Sequence, residues 1–218
     1  MGVIRGLTFD PAMLVQSDLM PDPLWGTECL AFNLQVDLDN YATAAVEEVL
    51  DVLYPGLPTQ HLVPSTALHI SVLNIIRARS PNSRREKVAQ WDRHQEHWLA
   101  AIDATANETT PFEIDLTELL PASSGVVAVA RNCPELVDLR RRLASSMGLD
   151  TGPVPELCHA TVMRFGPVVP KLAGLTQILD DLAIRVTTQV TALRTVRELV
   201  YPSLVRETLR EHPLEQST

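Results

Sequence analysis

The chain has 218 residues, of which 45% are hydrophobic and 21% are charged, as expected for a folded protein in water. Its formal net charge of −9 disfavours a protein that grips duplex or long nucleic acid, because such proteins need a basic surface to displace counterions. Its three cysteines, Cys29, Cys133 and Cys158, lack a Cys-x-x-Cys pair, which disfavours a disulfide framework and a structural zinc site.

Length and hydropathy favour one bilobal unit that does not enter a membrane. Single domains usually run to roughly 100–200 residues, so the chain has room for one core or for two lobes that share an interface. No stretch reaches the roughly 18 apolar residues of a transmembrane helix. The first residues also lack the apolar segment of a signal peptide, so we expect a cytoplasmic protein.

The chain begins with a stretch that predicts an irregular arm. Residues 1–25 carry three prolines and show little periodicity. Trp25, at the end of the arm, is a candidate anchor that packs onto the body. The body, residues 26–218, is expected to be a single bilobal domain.

The first part of the body predicts a strand, a helix and a second strand. Strand-like alternation covers residues 28–36, and Asp39 or Asn40 then offers a side-chain cap for a helix. A Tyr-Pro-Gly sequence at 54–56 ends that helix. A loop that contains prolines leads into an apolar strand at about 67–76.

A long polar helix and a further strand come next. The helix covers about 84–106, and we expect its buried stripe to consist of Trp91, Trp98, Leu99 and Ile102. Residues 111–119 alternate as a strand, and residues 121–125 have the composition of a turn.

The order of strand, helix, loop and strand then recurs. An apolar strand at 126–130 precedes a helix over 134–147, which Gly148 ends. A loop with Gly152 and Pro153 delivers a second apolar strand. The repeat is one of architecture and not of residue identity, and it predicts two related lobes.

Three more elements complete the prediction. A helix is expected over about 171–183, a strand over 186–200 and a last short strand over 205–210. The composite is an α+β protein with two similar sheets and with helices outside them.

The two apolar strands at the end of each repeat carry the same short motif. His69-Ile70-Ser71 lies in the first and His159-Ala160-Thr161 in the second. Successive side chains of a strand point to opposite faces, so each histidine shares a face with the hydroxyl two residues later. The other face of each strand is apolar, and it places Cys158 in the core.

Two histidines that face one cleft are able to divide acid and base work near neutral pH. An imidazole has an ordinary pKa near 6.5, so one ring accepts a proton from a nucleophile and the other donates one to a leaving oxygen. Hydroxyl groups of Ser71 and Thr161 would hydrogen-bond the oxygens of a phosphate between them. This chemistry needs no metal or other cofactor.

The paired motifs resemble those of the two-histidine (2H) phosphoesterases, a superfamily that includes bacterial 2′,3′-cyclic phosphodiesterases, also called 2′,5′ RNA ligases. The resemblance covers residues from about 28 to 210, and Arg164 matches a basic residue that often follows the second motif in that family. The first motif departs from the pattern, with Asn74 at the offset of Arg164 and with Ser71 where threonine is commoner.

The resemblance implies a bilobal, pseudo-twofold fold in which two antiparallel sheets line a central cleft and helices lie outside. It implies a metal-independent phosphodiesterase that acts on a 2′,3′-cyclic phosphate, or a related phosphodiester, of a small nucleotide or an RNA end. His69 and His159 would be the acid and the base, in an order that the sequence leaves open. Duplex nucleic acid and membranes are not expected partners, and a monomer is the default expectation.

Two alternative functions remain open at this stage. A protein of the same fold that binds a nucleotide or phosphate without turnover would also keep both motifs. So would a phosphodiesterase for a specialised substrate, such as a cyclic oligonucleotide or a nucleotide-linked metabolite.

Other side chains are weaker candidates for a site. His94 and His97 have a spacing suited to a shared metal ion, but such pairs usually lie on a solvated helix face. His61 precedes the first motif and is a candidate for the cleft wall. Further candidates to bind a phosphate or to stack on a base are Arg77, Arg79, Arg84, Arg85, Lys87, Trp25, Phe32 and Tyr201. Arg140, Arg141 and Arg142 form a basic run on a helix, spread around its turn so that they do not all address one ligand.

Overall fold

The computed structural model describes residues 18–149 and 157–215. Within these ranges it has four helices, α1 (Asn40–Leu53), α2 (Arg84–Asn107), α3 (Pro134–Ser146) and α4 (Leu172–Asp180). The strands in the same ranges are β1 (Glu28–Asp37), β2 (His61–Leu62), β3 (His69–Ile76), β4 (Phe112–Leu116), β5 (Glu118–Ala122), β6 (Gly125–Ala130), β7 (Cys158–Arg164), β8 (Val186–Val190), β9 (Ala192–Val200) and β10 (Val205–Pro213). None of the described helices is long and apolar enough to cross a membrane.

Local sequence signals set the ends of the helices. The Asp39 carboxylate accepts a hydrogen bond from the Ala42 N–H at 2.8 Å and caps α1. At α2, Ser83 and Glu86 form a reciprocal capping box. Gly148 follows α3 with a φ of +63°, a left-handed conformation that glycine adopts without strain.

The strands form two antiparallel sheets, as predicted, but the sheets are unequal in size. The larger sheet has eight strands in the order β10-β9-β1-β3-β7-β6-β5, with β2 also paired to β7. The smaller sheet contains β4 and β8. The α+β class is therefore confirmed.

The predicted internal repeat maps onto the two halves of the larger sheet. One unit runs β1, α1, β3 and the other runs β6, α3, β7. The two units meet at the centre of the sheet, where Ile70 of β3 is paired with Ala160 of β7. Both histidine motifs therefore lie on adjacent strands where the two units join.

Apolar faces of the sheet and helices build the core. On β3 and β7, Ile70, Val72, Cys158, Ala160 and Val162 are buried, on the face predicted from the alternation of side chains. In α2, Trp91 stacks on Phe32 with ring centroids 4.3 Å apart. Of the predicted stripe on this helix, Leu99 is half-buried and the other members are buried.

Three predictions about strands were wrong in detail. Residues 186–200 form two strands in different sheets, and the break falls at Thr191, whose carbonyl accepts a hydrogen bond from Leu214. Residues 111–119 also divide, because Thr117 donates its N–H to Val129 of the larger sheet. The turn predicted at 121–125 is shorter, since β5 extends to Ala122. The loop with Gly152 and Pro153 and most of the arm, residues 1–17, lie outside the described residues.

Candidate active site

A cavity of about 380 Å³ opens on the larger sheet where β3 and β7 meet. Its walls also include residues of β1, β9, α3 and the loop after β9. The smaller sheet contributes no residue to it within the described chain. The motif residues and two of the weaker candidates line this one cavity: His69, Ser71, His159, Thr161 and Arg164, together with Arg77 and Tyr201.

The His69 ring is held by its own backbone. Its Nδ1 lies 2.8 Å from the carbonyl oxygen of Ala67, and because a carbonyl accepts, Nδ1 carries the hydrogen. In the neutral ring Nε2 is then the basic nitrogen. Burial lowers the pKa of His69 below its ordinary value, and the Ala67 hydrogen bond opposes this effect. A neutral His69 is therefore favoured near pH 7.

His159 experiences a more positive environment. Burial is the largest cause that lowers its pKa to about 4, followed by the charges of Arg140, Arg164 and His69. The Leu157 carbonyl acts in the opposite direction, although the buried Nδ1 makes no hydrogen bond of good geometry within the described part of the chain. His159 is thus neutral at pH 7 until a negative charge approaches it.

Arg164 is held at the cavity wall by neighbours on several sides. Its guanidinium donates to the Ser124 hydroxyl at 3.0 Å and to the Thr161 hydroxyl at 3.4 Å. Its Nε lies 3.5 Å from the buried carboxylate of Asp22, and its Cζ lies 5.8 Å from the centroid of the Tyr201 ring. Arg164 thus presents a fixed positive charge beside the second hydroxyl of the site.

The described end of the arm supports this arrangement. Asp22 anchors its backbone by donating its N–H to Phe165, and Met20 donates to Ser123. Trp25 stacks on His61, with ring centroids 4.9 Å apart and planes 4° apart. The predicted anchoring role of Trp25 agrees with this contact, and the arm supplies Asp22, which the sequence analysis did not select.

Arg140 is a further cavity residue that the sequence analysis missed. It lies on α3 and is 2% exposed, and it donates to the carbonyls of Ser71 at 2.5 Å, Val72 at 3.1 Å and Leu157 at 2.9 Å. The signal was available, because Arg140 shares the helical spacing of Leu136, Leu139 and Leu143. This spacing is not visible when Arg140, Arg141 and Arg142 are considered as one basic run.

A buried polar pair forms another part of the cavity wall. Glu198 is 4% exposed, and its carboxylate accepts from the Asn33 amide at 2.8 Å and from the Ser203 N–H at 2.8 Å. Burial raises the pKa of Glu198, and the two hydrogen bonds oppose the rise. The sequence gives no clear signal for it, because β9 also carries Arg194, Thr195 and Arg197.

The competing candidates lie elsewhere. His61, a weaker candidate for the cleft wall, does not line the cavity and stacks on Trp25 instead. His94 stacks on Trp98 and His97 is exposed, and no group of three or more His, Cys, Asp or Glu side chains in the described ranges is arranged to hold a metal ion. Of the remaining candidates, Phe32 is core, whereas Lys87 is buried and donates to the carbonyls of Leu30 and Ala78.

Comparisons with known proteins relate this fold to solved structures. TT0787 of Thermus thermophilus matches with a TM-score of 0.62 and 19% identity, over 86% of this chain and 100% of that one. E. coli LigT in its apo form matches with a TM-score of 0.58 and 13% identity, over 87% and 99%. A phosphoesterase structure matches with a TM-score of 0.57 and 14% identity, over 86% and 99%.

LigT has also been solved in complex with 3′-AMP and with phosphate. No family model matches the sequence, and no curated protein matches it either. The chain therefore shares its fold with these solved structures, one of which is named a phosphoesterase.

Proposed function

We propose that this protein is a metal-independent phosphodiesterase that hydrolyses a 2′,3′-cyclic phosphate, or a related phosphodiester, of a nucleotide or an RNA end. The observation that carries the proposal is the position of His69 and His159 on adjacent strands of one cavity, each beside a hydroxyl on its own strand. The shared fold with structures of phosphoesterases supports the same class of reaction.

In the proposed reaction the two imidazoles move two protons. One ring accepts a proton from water as the water oxygen bonds to phosphorus. The bond from phosphorus to the 2′ or the 3′ oxygen breaks, and the other ring donates a proton to that oxygen. The product is a nucleoside monophosphate, and the two rings return to their starting states after one proton exchange with solvent.

The surrounding groups would stabilise the charge that develops on the phosphoryl oxygens. Ser71 and Thr161 supply hydroxyl donors, and Arg164 supplies a cation next to Thr161. Because the pKa of His159 is about 4 in the free protein, the protonated form of His159 depends on the negative charge of the substrate, which raises the pKa of a nearby imidazole. Binding and protonation are therefore coupled in this proposal.

The size of the cavity supports a nucleotide as the substrate. Its volume of about 380 Å³ lies in the range of small-molecule sites, roughly 300–1,000 Å³, and exceeds what a phosphate group alone needs. Tyr201 offers a ring surface for a base, and Arg77 lies at an exposed part of the wall. The 3′-AMP complex of LigT supports a ligand of this size.

The test is turnover of 2′,3′-cyclic mononucleotides by the purified full chain with EDTA present, followed by chromatography of the products. We expect a nucleoside monophosphate at the same rate with and without the chelator. Activity that the chelator abolishes would contradict the metal-independent reaction. Tight binding with no product over long incubation would instead assign the protein to the non-catalytic alternative. His94→Ala changes a histidine outside the cavity and should keep full activity, which makes it the control for substitutions of His69 and His159.

A further inference from the structure

The backbone ladder between the two histidine strands is interrupted beside the proposed site. Ile70 is paired with Ala160, and towards one end of β7 the pairing continues with β2, where the Val63 N–H donates to Val162 at 3.1 Å. In the other direction, an unbroken antiparallel ladder would set Ser71 opposite His159. No backbone pair joins the strands there in the described part of the chain.

The guanidinium of Arg140 occupies this interruption. It donates to the carbonyls of Ser71 and Val72 on β3 and to the carbonyl of Leu157, the residue before β7. The Ser71 carbonyl belongs to a motif residue, the Val72 carbonyl follows it directly, and the Leu157 carbonyl lies two residues before His159. Guanidinium is planar and carries five N–H donors in a fixed fork, so one side chain is able to satisfy two strand edges together.

We propose that Arg140 is the positioning residue of the phosphoesterase site, because its guanidinium takes the place of the backbone ladder between the histidine strands. Paired strands lie about 4.7–4.9 Å apart, and an inserted guanidinium holds the strand edges farther apart than that. The separation of the two imidazoles, and thus the room for one phosphate between them, depends on this inserted Arg140 guanidinium, which acts as a wedge between the strands. The catalytic part of the inference rests on the proposed function.

The position of Arg140 on α3 makes this wedge rigid. Leu136, Leu139 and Leu143 are fully buried on the same stripe of the helix and fix its distance from the sheet. Arg140 is itself 2% exposed, so water does not compete for the three carbonyls. A shorter or more flexible cation at this position would not reach both strands with the same geometry.

The charge of Arg140 also acts on the proposed chemistry. The charged and titratable groups that face His159 are Arg140 from α3, Arg164 from its own strand and His69 from β3. All three disfavour the protonated ring, and Arg140 is the strongest of them. The wedge therefore has two separable properties, its forked geometry and its charge.

Two substitutions separate these properties. Arg140→Lys keeps the charge and loses the fork, and Arg140→Met loses both. We expect kcat for a 2′,3′-cyclic nucleotide to fall by about 10²-fold in both variants, the effect of a misplacement of about 1 Å, with a smaller change in KM. The pKa of His159, measured by NMR of its imidazole, should rise towards its ordinary value in Arg140→Met and stay at about 4 in Arg140→Lys.

Lys87→Met is the matched control, because Lys87 is also a buried cation that donates to two backbone carbonyls, away from the cavity. It should lose thermal stability and keep kcat. An equal loss of kcat in Lys87→Met, or full kcat in Arg140→Lys, would overturn the positioning role. Arg140→Lys retains a buried charge and keeps the test open if Arg140→Met does not fold.

The titration separates this inference from the proposed function. If the wild-type protein hydrolyses no cyclic phosphate, the proposed function fails, and the His159 titration still decides whether Arg140 acts on the paired histidines. A His159 pKa that is the same in wild type and Arg140→Met would overturn the electrostatic part of the inference in either case.

Discussion

The pH dependence of turnover follows directly from the environments of the two histidines. Acid-base catalysis by a pair requires one protonated and one neutral ring, a form that is most populated between the two pKa values of the free protein. Burial lowers both pKa values below 6.5, and that of His159 falls to about 4. The maximum of kcat/KM should therefore lie below pH 6.5.

The size of the effect comes from the same values. Each pH unit above a pKa reduces the protonated fraction about tenfold, so on the order of one His159 ring in 10³ carries a proton at pH 7 in the free protein. We expect kcat/KM to fall about tenfold per pH unit above the upper pKa. The profile of kcat should be displaced to higher pH, because the bound phosphate stabilises the imidazolium.

The assay is steady-state hydrolysis of a 2′,3′-cyclic nucleotide between pH 4 and 9 at constant ionic strength. Arg164 lowers the pKa of both His69 and His159, so Arg164→Met should move both limbs of kcat/KM, including the descending one, to higher pH. A wild-type descending limb at pH 7.5 or above would refute the electrostatic reasoning, as would a limb that Arg164→Met leaves in place.

Three further predictions concern stability and binding. A Cβ at Gly125 would lie 2.2 Å from the Met163 carbonyl oxygen, so Gly125→Ala should lower Tm by several degrees. Gly174 is a helix position with open space, so Gly174→Ala should stabilise the protein by about 0.5–1 kcal/mol. Thermal unfolding of both variants checks the contrast. Tyr201→Ala should raise KM for cyclic nucleotides with little change in kcat, and Tyr201→Phe should leave KM near wild type. An unchanged KM in Tyr201→Ala would show that the ring does not contact the base. His159 binds a proton more weakly in the folded protein than in the unfolded chain, so its contribution makes the protein less stable as the pH falls from 6.5 towards 4. The Tm of the wild type should therefore drop over this interval relative to that of His159→Gln. A Tm that does not drop would contradict the sign of this effect.

The parts of the site that sequence predicted are those that depend on local periodicity. Alternation along a strand fixed His69 and Ser71 on one face, and His159 and Thr161 on one face, before any contact between the strands was known. The helix caps at Asp39 and Gly148 are equally local. These features needed no information about distant residues.

The parts that sequence missed depend on pairing between distant segments. The break at Thr191 exists because its two sides pair with different sheets, and no local pattern records which partner a strand selects. Arg140 and Asp22 act on the cavity across long sequence separations. The burial of Glu198 on β9 likewise depends on Asn33, which is on another strand.

The central claim is that His69 and His159 act as one unit on a single phosphate. The most direct measurement is a double-mutant cycle on kcat/KM for 2′,3′-cyclic nucleotide hydrolysis, with His69→Ala, His159→Ala and the double variant. Each single substitution should cost about 10²–10⁴-fold, and the double variant should lose little more than either one, because members of a catalytic unit are not additive. Losses that multiply in the double variant, or full activity in either single variant, would contradict the claim.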